Sequence, residues 1–285
     1  MTRDKTSYRF SVGRFTCYAL YDGDYEGATA SALFQGAPEE ALVRSLAKHQ
    51  VDRERIVLPC TPLLVDTGQA LVLLDTGYGA QAAASEFAHS AGQLASRLAE
   101  IGVGSDDIDW VVLTHGDTDH IGGAVDAHGS IAYPNASYVM TRLEWEHWMT
   151  GLKTGRLDPG AERIVRECLV PLAGRVRLLD QTTEILDGVT VCPAPGHTIG
   201  HATVRLKSDG ERLTFISDLV CHEIHMEQPH WRMGFEHDPH LAVSTRLSTF
   251  QELGERGDLV HAFHLPPPGL GRLESQGPAW KWAPA

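Results

Sequence analysis

Two histidines and two carboxylates fall within six positions of the stretch Thr114-His115-Gly116-Asp117-Thr118-Asp119-His120-Ile121-Gly122-Gly123. The stretch follows Trp110 to Leu113, a short continuous apolar run suited to a strand buried on both faces. A strand of that kind belongs inside a layered α/β fold, and ligands are commonly placed where it gives way to a polar turn. His and Asp side chains leaving one tight turn can converge on a metal ion, and the glycines let the backbone bend to bring them together. Gly, Asp and Thr are also ordinary turn formers, and Asp119 alone could cap the helix that follows.

Around that stretch the chain reads as two blocks of strands with helices among them. Tyr8 to Tyr21 is predicted as a strand pair turning at Gly13, and Cys60 to Val65 with Leu71 to Leu74 as a hairpin about Asp66-Thr67-Gly68. Helical apolar spacing covers Pro38 to His49. It recurs over Ala80 to Ile101, where Phe87, Ala91, Leu94, Leu98 and Ile101 share one face before Gly102 and Gly104. Arg142 to Ala173 is helical in character with a break at Gly151 to Gly160. Short β-rich segments follow at Val176 to Leu179, Glu184 to Leu186, Val189 to Pro193, Ala202 to Leu206 and Leu213 to Ser217. Asp238 then caps a helix with Pro239 in its first turn and Gly254 just beyond its end, and Leu259 to Phe263 is a last buried strand. No linker divides the chain, so one domain over residues 1–285 is expected, with two sheets between helical layers.

Composition narrows the partners. Lys plus Arg is 24 against 37 Asp plus Glu, a formal charge of −13, which disfavours a nucleic-acid partner that relies on a basic face. Hydrophobic residues at 42% and charged residues at 21% exclude a disordered, collagen-like or coiled-coil chain. No run approaches the roughly 20 apolar residues a bilayer needs, and Met1 to Phe10 lacks the apolar core of a signal peptide. A soluble, cytoplasmic protein with no membrane partner is therefore expected. The five cysteines, Cys17, Cys60, Cys168, Cys192 and Cys221, are scattered and never form a C-x-x-C pair, so neither a disulfide framework nor a cysteine-built zinc site is suggested. The unusual count is histidine, at 15.

Several further motifs place metal-competent side chains at the ends of predicted strands. They are Pro195-Gly196-His197-Thr198-Ile199-Gly200-His201, Ser217-Asp218 and His264-Leu265-Pro266. Together with the first stretch and with Leu73-Leu74-Asp75-Thr76-Gly77, they make the chain resemble a metallo-β-lactamase-fold hydrolase over nearly its whole length. Phe235 to Arg246 and His264 to Arg272 are similar to the branch that contains methyl-parathion hydrolase and lactonases. The resemblance implies an αββα four-layer sandwich and a dinuclear site at one edge of the sheets. The family motif His-x-His-x-Asp-His, with a later His, Asp and His, corresponds here to His115, Asp117, Asp119, His120, His197, Asp218 and His264.

This chain departs from the motif at its second histidine, which is Asp117. If Asp117 is a ligand, the first position comprises His115, Asp117, His197 and a bridging Asp218, and the second Asp119, His120, His264 and Asp218. If the shorter side chain falls short, the first position is weak or empty. Two divalent ions are expected, zinc first. Carboxylate in place of imidazole moves the preference toward iron or manganese, and the family's flavo-di-iron members carry Glu at this place. No flavodoxin-like domain to deliver electrons is expected within these residues, so that precedent supports iron binding more than redox chemistry.

A hydroxide bridging the metals is the nucleophile the resemblance implies, acting on a small ester, lactone or phosphoester, with Asp119 orienting it and carrying a proton to the leaving group. The extra negative charge of Asp117 should slow hydrolysis or raise its pH optimum. The rival readings are a di-iron oxidoreductase and a binding or mononuclear protein with an altered first position.

Other residues are read more plainly. Asp75 either orients a ligand histidine or fixes its turn. His201 either lines the cleft or hydrogen-bonds within a strand, and Cys221 and His222 follow Asp218 closely enough to face the pocket. Lactonases of the acyl-homoserine type often place a tyrosine where this chain has Cys221, and Cys221 is not expected to act as a nucleophile. His49, His89, His128 and His237 are expected at the surface, and His264 is preferred to His261 because it abuts the Leu265-Pro266 turn. Trp145, Trp148, Trp231 and Phe34 are expected in the core rather than the pocket. Trp280-Lys281-Trp282 reads as a final edge strand or a homodimer contact.

Overall fold

The computed structural model of the protein describes residues 7–277 and 279–285. The N-terminal segment read above as lacking a signal peptide therefore lies partly, at residues 1–6, outside the described residues. The strands are β1 (Ser7–Val12), β2 (Phe15–Leu20), β3 (Gly23–Ala28), β4 (Ile56–Cys60), β5 (Leu63–Asp66), β6 (Leu71–Leu74), β7 (Trp110–Val112) and β8 (Ser137–Thr141). The second half contributes β9 (Val176–Leu179), β10 (Thr183–Leu186), β11 (Val189–Pro193), β12 (Ala202–Ser208), β13 (Glu211–Phe215), β14 (Leu259–His261), β15 (Leu270–Gln276) and β16 (Ala279–Pro284).

Among the described residues, two seven-stranded sheets form, ordered β1-β2-β5-β6-β7-β8-β9 and β10-β11-β12-β13-β14-β15-β16. Their cores follow from the two-residue period of a strand buried on both faces. In β7 and its neighbours, Val112, Leu74, Val72, Leu63 and Val65 turn to the core shared with Val191, Val204, Leu213 and Phe215 of the other sheet. The alternate residues Val111, Leu73 and Leu64 turn outward and pack with Leu94, Leu98, Ile164 and Leu169 from the covering helices. On the far side, Phe250 and Leu253 of the helix Pro239–Arg256 cover Val260 and Leu273 of the second sheet. Helix, sheet, sheet and helix are thus stacked in four layers, the αββα arrangement. The small pair β3–β4 stands apart and packs with the helix Glu39–His49 over residues 221–233.

Most predicted elements are present, with three differences. The helix expected over Ala80 to Ile101 is a 3-10 turn at Gly79–Ala84, a loop, and a helix only at Leu94–Glu100. Gly92 breaks it with φ of 83°, and a side chain there would meet the Gly79 carbonyl oxygen at 2.6 Å. The buried Asp22 carboxylate instead accepts from the N–H groups of Tyr78, Gly92 and Leu94, and Phe87 is left exposed. Gly254 lies inside the last long helix rather than past its end, because a Cβ there would stand 1.9 Å from the ring of Trp280; the helix ends instead at Gly257, with φ of 62°. The last buried strand stops at His261 rather than Phe263, with Ala262, Phe263 and His264 already forming the turn beside the site. The Trp280 segment is an edge strand, β16, paired with β15.

Candidate metal centre

The two sheets bring their strand ends to one edge, and every element of the centre leaves from there. β7 ends at Val112, and its continuation is locked to the other sheet by a hydrogen bond from the N–H of Ala202 to the Thr114 carbonyl. Asp75, just after β6, takes a left-handed φ of 59° and is fully buried. Its carboxylate accepts from the N–H of Thr114 at 2.8 Å, from the Thr114 hydroxyl at 2.8 Å and from Nδ1 of His120 at 2.8 Å. Asp75 therefore both fixes its turn and orients His120.

Around Asp218 the other predicted residues gather. Nε2 of His120 lies 3.1 Å from Oδ1 of Asp218, and Nε2 of His264 and of His197 lie 3.3 Å and 3.6 Å from Oδ2. Asp117 reaches both neighbours on its side: its Oδ2 is 3.5 Å from Nε2 of His115 and 3.3 Å from Nε2 of His197. Asp119 closes the other side, its Oδ2 3.6 Å from Nε2 of His120 and 3.3 Å from Nε2 of His264. His264 is aimed by its Nδ1, which donates to the Pro59 carbonyl at 2.9 Å, whereas His261 is stacked on Phe215 away from the centre.

These separations suit metal ions. Two donors each about 2.1 Å from a tetrahedral ion lie about 3.4 Å apart. Buried imidazole nitrogens without a hydrogen-bond partner are rare, yet Nε2 of His115, His120 and His197 and Oδ1 of Asp218 have none. His115, Asp117 and His197 form one group of mutually close donors and His115, His120 and Asp218 another; His264 belongs to two further groups, one with Cys60 and Asp119 and one with Asp218 and Cys221. The donor set fits two divalent ions on either side of Asp218.

Electrostatics follow the same pairing. Packing pushes the Asp117 carboxyl up, but the imidazoles of His115 and His197 more than reverse this and hold it well below the usual carboxylate range. Its side chain keeps 39% of its surface open toward the pocket. Burial pushes His120 down, and Asp218, Asp119 and Asp75 together raise it well above the ordinary imidazole value.

His201 is fully buried; its Nδ1 donates to the Ala194 carbonyl at 3.0 Å, so Nε2 accepts from the N–H of Asp218 at 3.1 Å. It props the backbone of Asp218 rather than lining the cleft. Cys221 lines the pocket, its thiol donating to Oδ2 of Asp218 at 3.6 Å. His222 does not face the pocket; it packs on Phe34 and His49, and burial lowers it to about 4. His49 is not a plain surface residue, since it is half-buried against Glu227 at 3.2 Å. Phe34 and Trp231 belong to the core beneath β3–β4, while Trp148 lines the pocket.

Sequence reasoning missed Glu144. It is fully buried and accepts four hydrogen bonds: from the N–H of Gly116 at 2.9 Å and the indole of Trp148 at 2.7 Å, and from the Thr198 hydroxyl at 2.7 Å and the N–H of Gly200 at 2.9 Å. One carboxylate thereby ties the His115 loop to the His197 loop. The available signal was Thr141-Arg142-Leu143-Glu144, the pattern of a helix-capping box. Thr141 does accept from the N–H of Glu144, but the carboxylate turns away to the two loops.

The centre opens into a pocket of about 470 Å³, mostly apolar, lined by Tyr25, Leu58, Tyr78, Trp148, Ile164 and Phe235 among others. Among the described residues, no helix is long and apolar enough to cross a membrane.

Comparison with known proteins gives a consistent result. The family model described as "Metallo-beta-lactamase superfamily" matches residues 55–264. A probable metallo-hydrolase of Mycobacterium tuberculosis is 31% identical over 195 residues, 59% of this chain and 58% of that protein, so the chain spans little more than half the length of this relative. An N-acyl homoserine lactonase of Bacillus thuringiensis is 24% identical over 205 residues, 66% of this chain and 74% of that protein. Among solved structures, the hydrolase AbOPH of the beta lactamase superfamily superimposes with a TM-score of 0.88 at 27% identity, over 100% of this chain and 99% of that one. The fold is also that of AidC, a dizinc quorum-quenching lactonase, with a TM-score of 0.86 at 24% identity over 98% of this chain and 97% of that one.

Proposed function

The chain belongs to the metallo-β-lactamase superfamily, and from that premise we propose that it is a dinuclear metal-dependent hydrolase of small ester-like substrates, with lactones and carboxylic esters ahead of phosphotriesters. The observation that carries this reading is the pair of donor groups flanking Asp218 at the floor of an open, mostly apolar pocket. His115, Asp117 and His197 would hold one ion, Asp119, His120 and His264 the other, and Asp218 would serve both. Zinc is the first expectation, and the carboxylate of Asp117 in place of an imidazole makes iron or manganese the alternatives. Ions held there would act as Lewis acids on the substrate's electrophilic oxygen and lower the pKa of water from 15.7 toward about 7.

The chain's own groups supply the rest. Asp119 borders the pocket and is placed to take the proton of the attacking water and return it to the leaving oxygen. The backbone N–H of Asp218 donates to His201 beneath it, which helps to position the carboxylate between the two donor groups. Trp148, Phe235 and Leu58 offer an apolar wall for an acyl group, and exclude water from it. The lactonases among the similar proteins support a lactone as the ester of choice.

The test joins metal content and turnover. Elemental analysis of the purified protein should find about two metals per chain, falling toward one in Asp117→Ala, and a panel of short-chain lactones, carboxylic esters and phosphotriesters should show turnover abolished by Asp119→Asn. One metal or none, unchanged in Asp117→Ala, would sink the dinuclear reading.

A further inference from the structure

Arg246 is a fully buried cation with no part in the reaction described above. It projects from the helix Pro239–Arg256, whose other buried residues are Ala242, Phe250 and Leu253. Its guanidinium makes four hydrogen bonds. Nε donates to the Leu219 carbonyl at 2.6 Å, Nη1 to the carbonyls of Pro229 and Trp231 at 2.9 and 2.8 Å, and Nη2 to Oε1 of Glu236 at 2.7 Å. Glu236 is itself shielded from solvent, and its Oε2 accepts from the N–H of Met233 at 3.1 Å. Between Leu219 and Pro239 the single helical turn Ile224–Glu227 is the only regular element among the described residues. Backbone groups buried without a helix or a ladder need partners from elsewhere, and Arg246 supplies three of them.

Both ends of the segment so held belong to the centre. Leu219 directly follows Asp218. Glu236 lies between Phe235, whose ring stands edge-on to His197 with centroids 5.7 Å apart, and His237, whose N–H donates to the His197 carbonyl at 2.7 Å. The N–H of Asp238 donates in turn to the Gly196 carbonyl at 2.9 Å. One side chain on one long helix thus refers the backbone beside Asp218 and the backbone around His197 to a common frame. A buried ion pair is commonly no more stabilising than apolar side chains of similar volume, so stability alone gives no reason for an arginine here. The planar fork gives one, because its N–H groups diverge at fixed angles toward acceptors on both sides, which the point charge of a lysine cannot do. We infer that Arg246, with Glu236, is a positioning residue of the metal centre that fixes Asp218 relative to His197. The inference rests on the cluster being a metal centre, as proposed above.

Loading of the full-length protein with Co²⁺ tests this, with affinity measured by competition with a chelator and ligand geometry followed by the visible absorption of the bound ion. Arg246→Lys keeps the charge and loses the fork; it should shift the spectrum and lower affinity roughly 10- to 100-fold. Glu236→Gln loses one of that carboxylate's two bonds and keeps the three to backbone carbonyls, so it should give the same change to a smaller extent. It decides the matter if Arg246→Lys does not fold. Gly254→Ala controls for stability alone, since its added methyl group meets Trp280 on the same helix. That variant should melt lower while keeping wild-type affinity and spectrum. Wild-type affinity and spectrum in folded Arg246→Lys, or in Glu236→Gln where Arg246→Lys does not fold, overturn the positioning role and leave the metal centre intact. An equal loss in Gly254→Ala does the same. Failure of the wild-type protein to bind Co²⁺ overturns both.

Discussion

Asp75 and His120 meet through a 2.8 Å hydrogen bond between two side chains that are both wholly shielded from solvent. The bond presents Nε2 of His120 to Asp218 and, because the Asp75 carboxylate accepts the Nδ1 proton, makes the ring a stronger electron-pair donor toward a cation. Asp75→Asn keeps the shape but can no longer accept from every one of its three donors. Metal affinity at that position should fall roughly 10- to 100-fold, measured by competition with a chelator. Unchanged affinity would show that the ring needs no such support.

Asp117 puts a negative charge where the family motif has an imidazole. Asp117→His removes that charge while leaving a donor beside His115 and His197. Stronger Lewis acidity of ions held there would lower the pKa of the attacking water, so the ascending limb of the pH–rate profile should move to lower pH and the rate at neutral pH should rise. A pH–rate profile of the two proteins at full metal occupancy decides it, and a lower neutral rate in the variant would count against a charge penalty.

Glu144 is the clamp between the two histidine loops. Glu144→Gln replaces an acceptor oxygen by an NH₂ group that must face a donor among Gly116, Trp148, Thr198 and Gly200. Leaving buried groups unpaired costs about 1–3 kcal/mol each, so the melting temperature should drop by several degrees and metal affinity should fall with it. A variant with wild-type melting and metal binding would remove Glu144 from the architecture of the centre.

Gly254 offers a test of packing against propensity. In an exposed helix, Gly→Ala stabilises by up to about 1 kcal/mol, but here the added methyl group would overlap the Trp280 ring at 1.9 Å. Gly254→Ala should therefore destabilise by about 1–3 kcal/mol. In a Trp280→Ala background the same change should become stabilising, a reversal readable by chemical denaturation.

His261 gives the fold an acid limit. Both its ring nitrogens are buried without partners, and burial lowers it to about 3 from the usual 6.5. Because the folded value lies below the unfolded one, the unfolded chain takes up the proton first. Stability is full above about pH 6.5 and is lost as pH falls toward 3. His261→Phe should flatten that part of the stability curve; an unaltered slope between pH 6 and 4, in roughly the range where the linkage acts, would place the acid sensitivity elsewhere.

The sequence by itself determined the layers and the chemistry. Alternation in strands such as Leu63–Asp66 and Leu71–Leu74 names residues for two cores at once, because successive side chains must point to opposite faces. The turn chemistry of His115 to Gly123 and the strand-end positions of His197, Asp218 and His264 likewise depend on local residue types, which a sequence displays directly. Only the tertiary structure decided which groups meet across it. Glu144 reaches Gly116 and Gly200, 28 and 56 residues away, and Cys60 reaches Asp119 at a separation of 59. Gly92 and Gly254 were misjudged for the same reason: the carbonyl of Gly79 and the ring of Trp280 that exclude their side chains come from other elements. Local pattern fixes period and face, but distances between elements are set by how the layers pack, and that packing carries no signature in any short stretch of chain.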